Sequence, residues 1–324
     1  AFAKDIIKRF KLGNNDLVMD IGSNVGELLI NFANEKIKVC GVDPAKNIAK
    51  KAIKRGVPTI TDFFDKKIEK ILINKKIFPK IITGTNVFAH MNNIEGAVKV
   101  IKNILKPDGV LVIEAPYLKN LIAGLEYDTI YHEHLMYLSI NPMIKLFKKF
   151  EFEIFDIQFK NIHGGSIRVF VKHKNGPFRI SSKIKKISNN EIKEKLNSIK
   201  TLSKFSKEVE SHRKNLRDLL KKLKSKGKKI ACVGAPAKGM TLLNYNKLNN
   251  DIIEFVTEVS KLKLNKYCPG TDLKILNDNK LIANDIDYAL ILPWNFKNEI
   301  MKNLKEFKKS GGRFIIPLPK IQII

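Results

Sequence analysis

Two histidines flank a glutamate in the stretch Y-H-E-H, which comprises Tyr131, His132, Glu133 and His134, in a chain that contains only six histidines. An imidazole has a solution pKa of about 6.5, so it can take up or release a proton near neutral pH. A tyrosine hydroxyl beside it can donate a hydrogen bond to developing negative charge. The stretch therefore indicates acid–base chemistry, and an ordinary surface loop is the alternative that these residues alone leave open.

A metal site is a further alternative for the same stretch, because histidine and glutamate are common metal ligands. A site made by His132, Glu133 and His134 would need all three side chains on one side of the chain. Successive side chains of an extended backbone point to opposite sides, so we expect no metal site. We interpret His132 as a structural residue.

The segment D-I-G-S-N-V-G, residues 20–26, follows an apolar run and precedes a helical pattern. In an open α/β sheet, ligands bind at this kind of strand end, where glycines let the backbone approach them. A nicotinamide fingerprint would read G-x-G-x-x-G, whereas this loop has asparagine in the middle and a different final spacing. The form D-x-G-x-x-x-G favours S-adenosylmethionine (SAM) over a nicotinamide or flavin cofactor.

Polar residues at the next strand ends support a SAM site. Asp43 ends the second strand, where its carboxylate can accept hydrogen bonds from two ribose hydroxyl groups. Asp62 and Phe63 follow the third strand and can flank an adenine ring, although each residue alone could belong to an ordinary strand-end turn. The predicted cofactor-binding residues are Asp20, Gly22, Asn24, Gly26, Asp43, Asp62, Phe63 and Asn86.

Short apolar strands alternate with helical patterns over residues 1–115. The strands are predicted at 17–22, 38–44, 81–86 and 110–116. This alternation is typical of a parallel, doubly wound sheet, so we expect an α/β, Rossmann-like SAM-binding domain.

The rest of the chain has three further predicted parts. Residues 116–187 alternate apolar and polar residues, as in F-E-I-F-D-I-Q-F, and predict a β-rich segment that carries Y-H-E-H. Residues 188–227 predict a charged helical arm, one helix or a pair, that begins at a capping box of Ser188 and Glu191. Residues 228–324 return to strand–helix alternation and predict a second, smaller α/β domain.

The formal net charge of +28 invites a nucleic-acid-binding interpretation. Only seven of the 60 basic residues are arginine, and the lysines are spread along the whole chain. Proteins that read bases use arginine forks and aromatic platforms, neither of which is concentrated here. We therefore interpret the charge as a general compositional bias that attracts anionic substrates such as phosphates, and we do not expect a nucleic-acid partner.

The three cysteines, Cys40, Cys232 and Cys268, are far apart in the sequence. A disulfide framework or a cysteine-based zinc site is therefore not expected. No apolar run approaches the roughly 18 to 20 residues that span a bilayer, so we expect no membrane partner. The composition predicts a cytoplasmic protein and favours a monomer.

Six segments in order along the chain resemble the sugar C-methyltransferases that act on nucleotide-linked 4-keto-deoxysugars. They are D-I-G-S-N-V-G, T-N-V-F-A-H (85–90), E-Y-D-T-I-Y-H-E-H-L-M-Y (126–137), H-G-G-S-I-R-V-F (163–170), G-A-P-A-K-G-M-T-L-L-N-Y (234–245) and L-P-W-N-F (292–296). That family begins with a cysteine-rich, zinc-binding domain, and we expect that this chain starts after it. The segment 256–271 departs from the family pattern, which usually has an aspartate and a proline near its start.

The resemblance implies the roles of four residues. Methylation of carbon requires a carbanion equivalent, which a base can generate beside a ketone. His134 is then the expected base, Glu133 and Tyr131 orient it or bind the sugar, and His90 is a second acid–base group. Tyr131 or His90 could also stabilise the enolate as hydrogen-bond donors.

Two glycine-containing segments supply the expected substrate contacts. H-G-G-S could approach the sugar or a phosphate, although a plain β-turn is the alternative. G-A-P-A-K-G-M-T is similar to a P-loop but has Met240 in place of the phosphate-binding lysine, so we expect the nucleotide end of the substrate there and no nucleotide hydrolysis. The predicted substrate-binding residues are His163, Gly164, Gly165, Ser166, Arg168, Lys238, Thr241 and Asn244.

Three alternatives stay open at the level of the sequence. One is an O- or N-methyltransferase for another small molecule, and another is a basic RNA methyltransferase. The third is a protein that binds the cofactor without catalysis.

Overall fold

The computed structural model describes residues 1–162 and 164–324, which form two compact units. The first unit contains Ala1–Leu118, Leu135–Asn161 and Gly165–Lys195. The second contains Lys119–His134, Ile162–Gly164 and Leu196–Ile324. Each unit therefore combines distant parts of the chain, and the predicted segments 116–187 and 188–227 are both divided between the two.

The first unit is built around seven strands. These are β1 (Leu17–Ile21), β2 (Lys38–Val42), β3 (Thr59–Ile60), β4 (Ile81–Thr85), β5 (Val110–Pro116), β6 (Phe152–Lys160) and β7 (Ser166–His173). Its helices are α1 (Phe2–Phe10), α2 (Glu27–Ala33), α3 (Lys46–Lys54), α4 (Lys66–Asn74), α5 (Ile94–Ile104), α7 (Ile140–Lys149) and α8 (Ser182–Lys193), while α6 (Leu118–Ala123) begins at the boundary between the units.

These strands form one sheet in the order β3-β2-β1-β4-β5-β7-β6, in which β7 is antiparallel to both of its neighbours and the other pairs are parallel. The chain order reverses between β1 and β4, so the carboxyl ends of these two strands lie side by side at a topological switch point. Open α/β sheets bind their ligands at such a point. The predicted doubly wound sheet is confirmed, and the β-rich segment contributes its β6–β7 hairpin to the same sheet.

Burial explains why the central strands contain several apolar residues in succession. Val18, Ile81 and Val110 are fully buried in the core that α1 and α2 cover with Ile6 and Phe32. A parallel sheet is buried on both faces, so its strands need apolar residues in succession and not in alternation.

The second unit has a six-stranded sheet in the order β10-β9-β8-β11-β12-β13. Its strands are β8 (Ile230–Val233), β9 (Val256–Thr257), β10 (Ile275–Leu276), β11 (Tyr288–Ile291), β12 (Arg313–Ile316) and β13 (Gln322–Ile323). Its helices are α9 (Ile199–Ser225), α10 (Ala237–Tyr245), α11 (Lys280–Ala283), α12 (Lys297–Asn303) and α13 (Lys305–Lys309). The switch point of this sheet lies between β8 and β11, which confirms the second α/β domain.

The predicted capping box at Ser188 and Glu191 is wrong. Helix α8 begins at Ser182, and the side chain of Ser181 accepts a hydrogen bond from the Lys183 amide as its N-cap. Glu191 is buried and accepts hydrogen bonds from the backbone amides of Ile140 and Asn141, at 2.7 and 2.9 Å. A carboxylate at the start of α7 satisfies amides that have no partner within the helix, and this long-range role has the same local sequence pattern as a cap.

Candidate functional site

The glycine loop between β1 and α2 has an unusual backbone. Gly22, Asn24 and Gly26 have φ angles of 68°, 50° and 76°, in the left-handed region that glycine adopts without strain. A Cβ atom added to Gly22 would lie 2.9 Å from Cγ2 of Val87, so a side chain at that position would collide with the loop after β4. The turn therefore depends on glycine where the chain passes the switch point.

Asp43, at the end of β2, connects two loops. One carboxylate oxygen accepts a hydrogen bond from the Asn24 amide at 2.9 Å, and the other accepts one from the Ala45 amide at the same distance. Each oxygen retains capacity for a further hydrogen bond, because a carboxylate offers about four acceptor sites. Asp43 thus lies beside the glycine loop, directly after β2.

Asp20 lies beneath this loop, near the end of β1. Its carboxyl accepts a hydrogen bond from the Thr83 hydroxyl at 2.6 Å. Burial raises its pKa to about 7, against the lowering effect of the Thr83 hydrogen bond and with a further increase from the charge of Asp43. Asp20 is therefore a buried carboxyl, bonded to Thr83 of β4, that is partly protonated near neutral pH.

A cavity of about 650 Å³ opens at the switch point of the first unit. Such a volume lies within the range of about 300 to 1,000 Å³ that is usual for small-molecule sites. Four of the predicted residues line it, namely Gly22, Asp62, Phe63 and His90. Asp20, Asn24, Gly26, Asp43 and Asn86 are absent from the lining, although the Asp43 neighbours Val42 and Pro44 form part of the wall.

The predicted cofactor-binding residues after β3 and β4 differ in how firmly they are held. Asp62 accepts a hydrogen bond from the Phe63 amide at 2.9 Å and pairs with Lys67 at 2.5 Å, and the Lys67 hydrogen bond lowers the pKa of that carboxyl. The Phe63 ring is 69% exposed, so it presents an open apolar surface. Asn86 has a φ of 54° and donates its amide to the Glu114 carbonyl at 2.8 Å, which fixes the turn after β4.

The Y-H-E-H stretch belongs to the second unit and forms a turn in which the His134 amide donates to the Tyr131 carbonyl at 2.9 Å. His134 Nδ1 lies 2.8 Å from the Thr129 carbonyl oxygen, and its Nε2 lies 3.1 Å from the Tyr131 hydroxyl. The two rings are also tilted against each other, with centroids 4.2 Å apart. Tyr131 and His134 are therefore in direct contact.

These two contacts determine the protonation pattern of the His134 ring. A carbonyl oxygen can only accept a hydrogen bond, so Nδ1 carries the hydrogen in the neutral ring. The lone pair then lies on Nε2, which accepts the hydrogen bond that the Tyr131 hydroxyl donates. The turn thus presents Nε2 as the basic atom. Burial, followed by the charges of Glu133 and Asp128, raises the pKa of Tyr131, so this hydroxyl keeps its proton near neutral pH.

His132 and Glu133 are both exposed at the tip of this turn. Among residues 1–162 and 164–324, no group of three histidine, cysteine or acidic side chains is arranged to hold a metal ion. The three cysteines are free and buried.

The predicted substrate-binding residues of the H-G-G-S segment differ in their surroundings and in their burial. His163 lies outside the described residues. Gly164 and Gly165 have φ angles of 82° and 127°, and a Cβ added to Gly164 would lie 2.1 Å from a Glu126 carboxylate oxygen. Gly164 therefore allows close contact between the backbone and the Glu126 carboxyl, while Ser166 is buried at the start of β7.

Arg168 is almost completely buried in the first unit. Its guanidinium pairs with Glu114 at 2.7 Å and with Asp5 at 3.3 Å, and it lies 3.8 Å from the centre of the Phe2 ring. These partners favour a structural role over contact with a sugar or phosphate.

Lys238, at the start of α10, is also paired inside its own unit. Its ammonium lies 3.8 Å from an Asp128 carboxylate oxygen and 4.1 Å from the centre of the Trp294 ring. The Trp294 indole donates a hydrogen bond to the same Asp128 oxygen at 2.7 Å. Burial lowers the pKa of Lys238 and raises that of Asp128, and burial with the nearby Asp128 charge raises the pKa of Glu126 to about 7.

The remaining predicted contacts lie further along α10. Asn244 donates hydrogen bonds from its amide group to the Met240 and Pro269 carbonyls, at 2.8 and 2.9 Å. Thr241 is half-buried. Asn244 therefore fixes a loop of the second unit in addition to any role with a ligand.

Three residues of the second unit received no role from the sequence. Thr129 orients the His134 ring through its backbone carbonyl, so the type of its side chain does not indicate this role. Asp128 and Trp294 lie in segments recognised by resemblance, but their pairing across 166 positions needed the structure.

Comparisons with known proteins identify the family. A family described as "C-methyltransferase C-terminal domain" matches residues 161–319, and one described as "Methyltransferase domain" matches residues 1–157. The C-methyltransferase NovU of Streptomyces niveus is 33% identical over 318 residues, which cover 98% of this chain and 76% of that protein. The chain belongs to this C-methyltransferase family. It is a SAM-dependent C-methyltransferase, which confirms the expected cofactor and enzyme class.

Solved structures that resemble the chain are distant from it. Magnesium protoporphyrin IX methyltransferase from Synechocystis PCC 6803, with bound SAM, is 13% identical, covers 53% of this chain and 78% of its own, and has a TM-score of 0.40. A SAM-dependent methyltransferase from Aquifex aeolicus is 15% identical, covers 52% of this chain and 88% of its own, and has a TM-score of 0.39. In the described part of the chain, no helix is both long and apolar enough to cross a membrane.

Proposed function

We propose that this C-methyltransferase acts on a nucleotide-linked 4-keto-deoxysugar, through an enolate that His134 generates. The observation that carries the proposal is the pair of contacts on its ring, Nδ1 to the Thr129 carbonyl and Nε2 to the Tyr131 hydroxyl. Together they supply a base and a hydrogen-bond donor side by side. The 33% identity to NovU supports carbon as the methylated atom.

The described residues of the first unit fit SAM in size and chemistry. The cavity at its switch point has apolar walls that include Ile21, Val42 and Phe63, and its rim carries the left-handed Gly22. Gly22 and Phe63 would contact the cofactor, and Asp43 would accept hydrogen bonds from its ribose. When bound, the cofactor supplies an electrophilic methyl group.

The chemistry of this chain's own residues begins at Nε2 of His134. When the substrate binds, the Tyr131 hydroxyl turns from Nε2 to the ketone oxygen, which frees the lone pair on Nε2. Nε2 then takes the proton from the carbon next to the ketone, and the electrons of the broken C–H bond move to form the enolate, whose oxygen accepts the hydrogen bond from Tyr131. General-base catalysis of this kind is typically worth about 10² to 10⁴ in rate. The imidazolium finally releases its proton to solvent.

His90, on the wall of the cavity, is proposed as a second acid–base group. Glu133 is exposed on the turn, where its charge acts on Tyr131. For the C-terminal substrate contacts, Thr241 remains a proposed contact of the nucleotide. Lys238 is proposed to act on the site indirectly, through its ion pair with Asp128.

The test is a product assay by mass spectrometry with SAM and a panel of nucleotide-linked 4-keto-deoxysugars. The protein should form a methylated sugar, and the His134→Asn variant should form none. In D₂O without SAM, the protein should also exchange the hydrogen next to the ketone, whereas the variant should not. Methylation of oxygen or nitrogen, or methylation of carbon without any exchange, would contradict the enolate route.

A further inference from the structure

In the second unit, the 3₁₀ turn Tyr127–Thr129 is separated from the Y-H-E-H stretch by Ile130 alone. Its last carbonyl, that of Thr129, accepts the hydrogen bond from His134 Nδ1 at 2.8 Å. The direction of one peptide carbonyl therefore decides which ring nitrogen carries the hydrogen. If this carbonyl turned away, the ring could adopt the tautomer with hydrogen on Nε2, which has no lone pair there to accept a proton.

Asp128, in the middle of this turn, is fully buried and contacts two residues that follow strands of the second sheet. One of its carboxylate oxygens accepts a hydrogen bond from the indole nitrogen of Trp294 at 2.7 Å. The same oxygen lies 3.8 Å from the ammonium of Lys238. Trp294 follows β11 and Lys238 lies at the start of α10 after β8, so both partners come from the switch point of that sheet.

Tyr127 holds the same turn on its other side. Its hydroxyl lies 3.1 Å from His212 Nδ1 and accepts a hydrogen bond from the Asn246 side chain at 3.0 Å. His212 Nε2 lies 2.7 Å from the Pro317 carbonyl, so it carries the hydrogen and Nδ1 accepts from Tyr127. All of these groups are buried, and buried hydrogen-bond networks of this kind rigidify what they hold.

We propose that Asp128 is a positioning residue, which Trp294 and Lys238 hold so that the Thr129 carbonyl keeps His134 in the tautomer with hydrogen on Nδ1. Its catalytic consequence rests on the proposed function, because the base must present its lone pair on Nε2. The structural part, the tautomer itself, does not depend on the substrate. Asp128 touches no reacting atom and acts through the turn.

The test is ¹⁵N NMR of the full chain labelled at histidine, with the His134 signals assigned by their loss in the His134→Asn variant. In the wild type, Nε2 should show the chemical shift of an unprotonated nitrogen and Nδ1 that of a protonated one. In Asp128→Ala, which removes the acceptor oxygen, and in Trp294→Phe, both nitrogens should show averaged shifts. With the sugar substrate, kcat should fall by at least about tenfold in both variants, while the KM for SAM stays within roughly twofold.

Asp287→Ala is the matched control. Asp287 also pairs with a lysine of the second unit, Lys228 at 2.8 Å, and with the Lys229 amide, but it has no described contact with residues 126–134. This variant should keep the wild-type tautomer and kcat. Its behaviour separates the loss of the Asp128 contacts from a general effect of removing a carboxylate.

A folded Asp128→Ala variant with the wild-type tautomer would overturn the proposal, as would a wild type with its hydrogen on Nε2. If Asp128→Ala fails to fold, Trp294→Phe decides in its place, because it removes one hydrogen bond and keeps a buried ring. Failure of the proposed function is distinguishable from failure of this inference. In that case no keto-sugar is methylated, while the ¹⁵N signals still show the tautomer and its loss in the variants.

Discussion

Arg168 and Glu114 are direct partners across the antiparallel pair β7–β5, and their side chains form an ion pair at 2.7 Å with both groups almost completely buried. The strand register alone brings them together, because side chains opposite each other on one face of a sheet are neighbours. Each charge is therefore compensated inside the sheet of the first unit, and Arg168 is engaged before any substrate binds.

Replacing Arg168 by methionine should destabilise the first unit strongly. The change leaves the Glu114 carboxylate buried without a partner, and the loss of one member of a buried pair costs about 3 to 5 kcal/mol. Urea unfolding, followed by circular dichroism, would measure the change. Lys204→Met is the control, since the exposed pair Lys204–Glu208 should contribute at most about 0.5 kcal/mol. A stable Arg168→Met variant that has lost sugar binding would instead make Arg168 a substrate ligand.

Gly22 offers a direct test of the cofactor cavity. Gly22→Ala places a Cβ 2.9 Å from the Val87 side chain at a φ of 68°, so the loop must move or become strained. We expect SAM binding to weaken by at least about tenfold, or about 1.4 kcal/mol, as measured by isothermal titration calorimetry. Gly13→Ala is matched in chemistry, but its Cβ would have no neighbour within 4 Å, so it should bind SAM like the wild type. Equal affinity in both variants would place the cofactor elsewhere.

Much of the fold follows from short-range patterns. The strand predicted at 110–116 is β5, with the same bounds. A short run of apolar residues after a turn is typical of a strand that is buried on both faces of a parallel sheet. The association of Asp43 with the glycine loop was also predictable, since the carboxyl ends of neighbouring parallel strands meet at one edge.

The features that the sequence did not reveal depend on pairing over long distances. From its local sequence, Glu191 is predicted to belong to a helix cap. In the structure its carboxylate instead accepts hydrogen bonds from backbone amides at the start of α7, some 50 positions away. From its local sequence, Arg168 is a cation beside a glycine turn that is available to a ligand. In the structure, the register of β7 with β5 places it against Glu114. In both cases one residue pattern is compatible with a local and a distant partner, and only the packed chain selects between them.

The buried Asp20 predicts how the stability of the first unit depends on pH. Its pKa is about 7 in the folded chain, whereas an aspartate in the unfolded chain has a pKa of about 4. Between these values the folded state binds more protons than the unfolded state, so the free energy of unfolding falls as the pH rises. The penalty is absent below about pH 4 and complete above about pH 7.

Asp20→Asn should remove this dependence while keeping an oxygen that accepts the Thr83 hydrogen bond. Relative to the wild type, the variant should gain stability as the pH rises from about 4 to 7, by an amount on the order of 4 kcal/mol at most. Urea unfolding without SAM at several pH values would show it. Glu35→Gln, which replaces an exposed carboxylate of the same unit, should follow the wild-type profile. A constant difference between Asp20→Asn and the wild type at all pH values would contradict the raised pKa.

Tyr131→Phe separates the hydroxyl from the ring that packs on His134. The variant keeps the ring contact, whose centroids are 4.2 Å apart, but loses the donor 3.1 Å from Nε2. Under the proposed function, the enolate oxygen loses its hydrogen-bond donor, and removal of one such donor typically lowers kcat by about 10² to 10³. The KM for SAM should stay within roughly twofold, because Tyr131 is not expected to contact the cofactor. Tyr267→Phe, at an exposed tyrosine of the same unit, serves as the control in the same steady-state assay. A different result would contradict a role of the hydroxyl in the transfer step. In that case Tyr131→Phe would turn over the sugar at the wild-type rate, but in D₂O without SAM it would exchange the carbon-bound hydrogen of the sugar more slowly. The hydroxyl would then act on proton removal by His134.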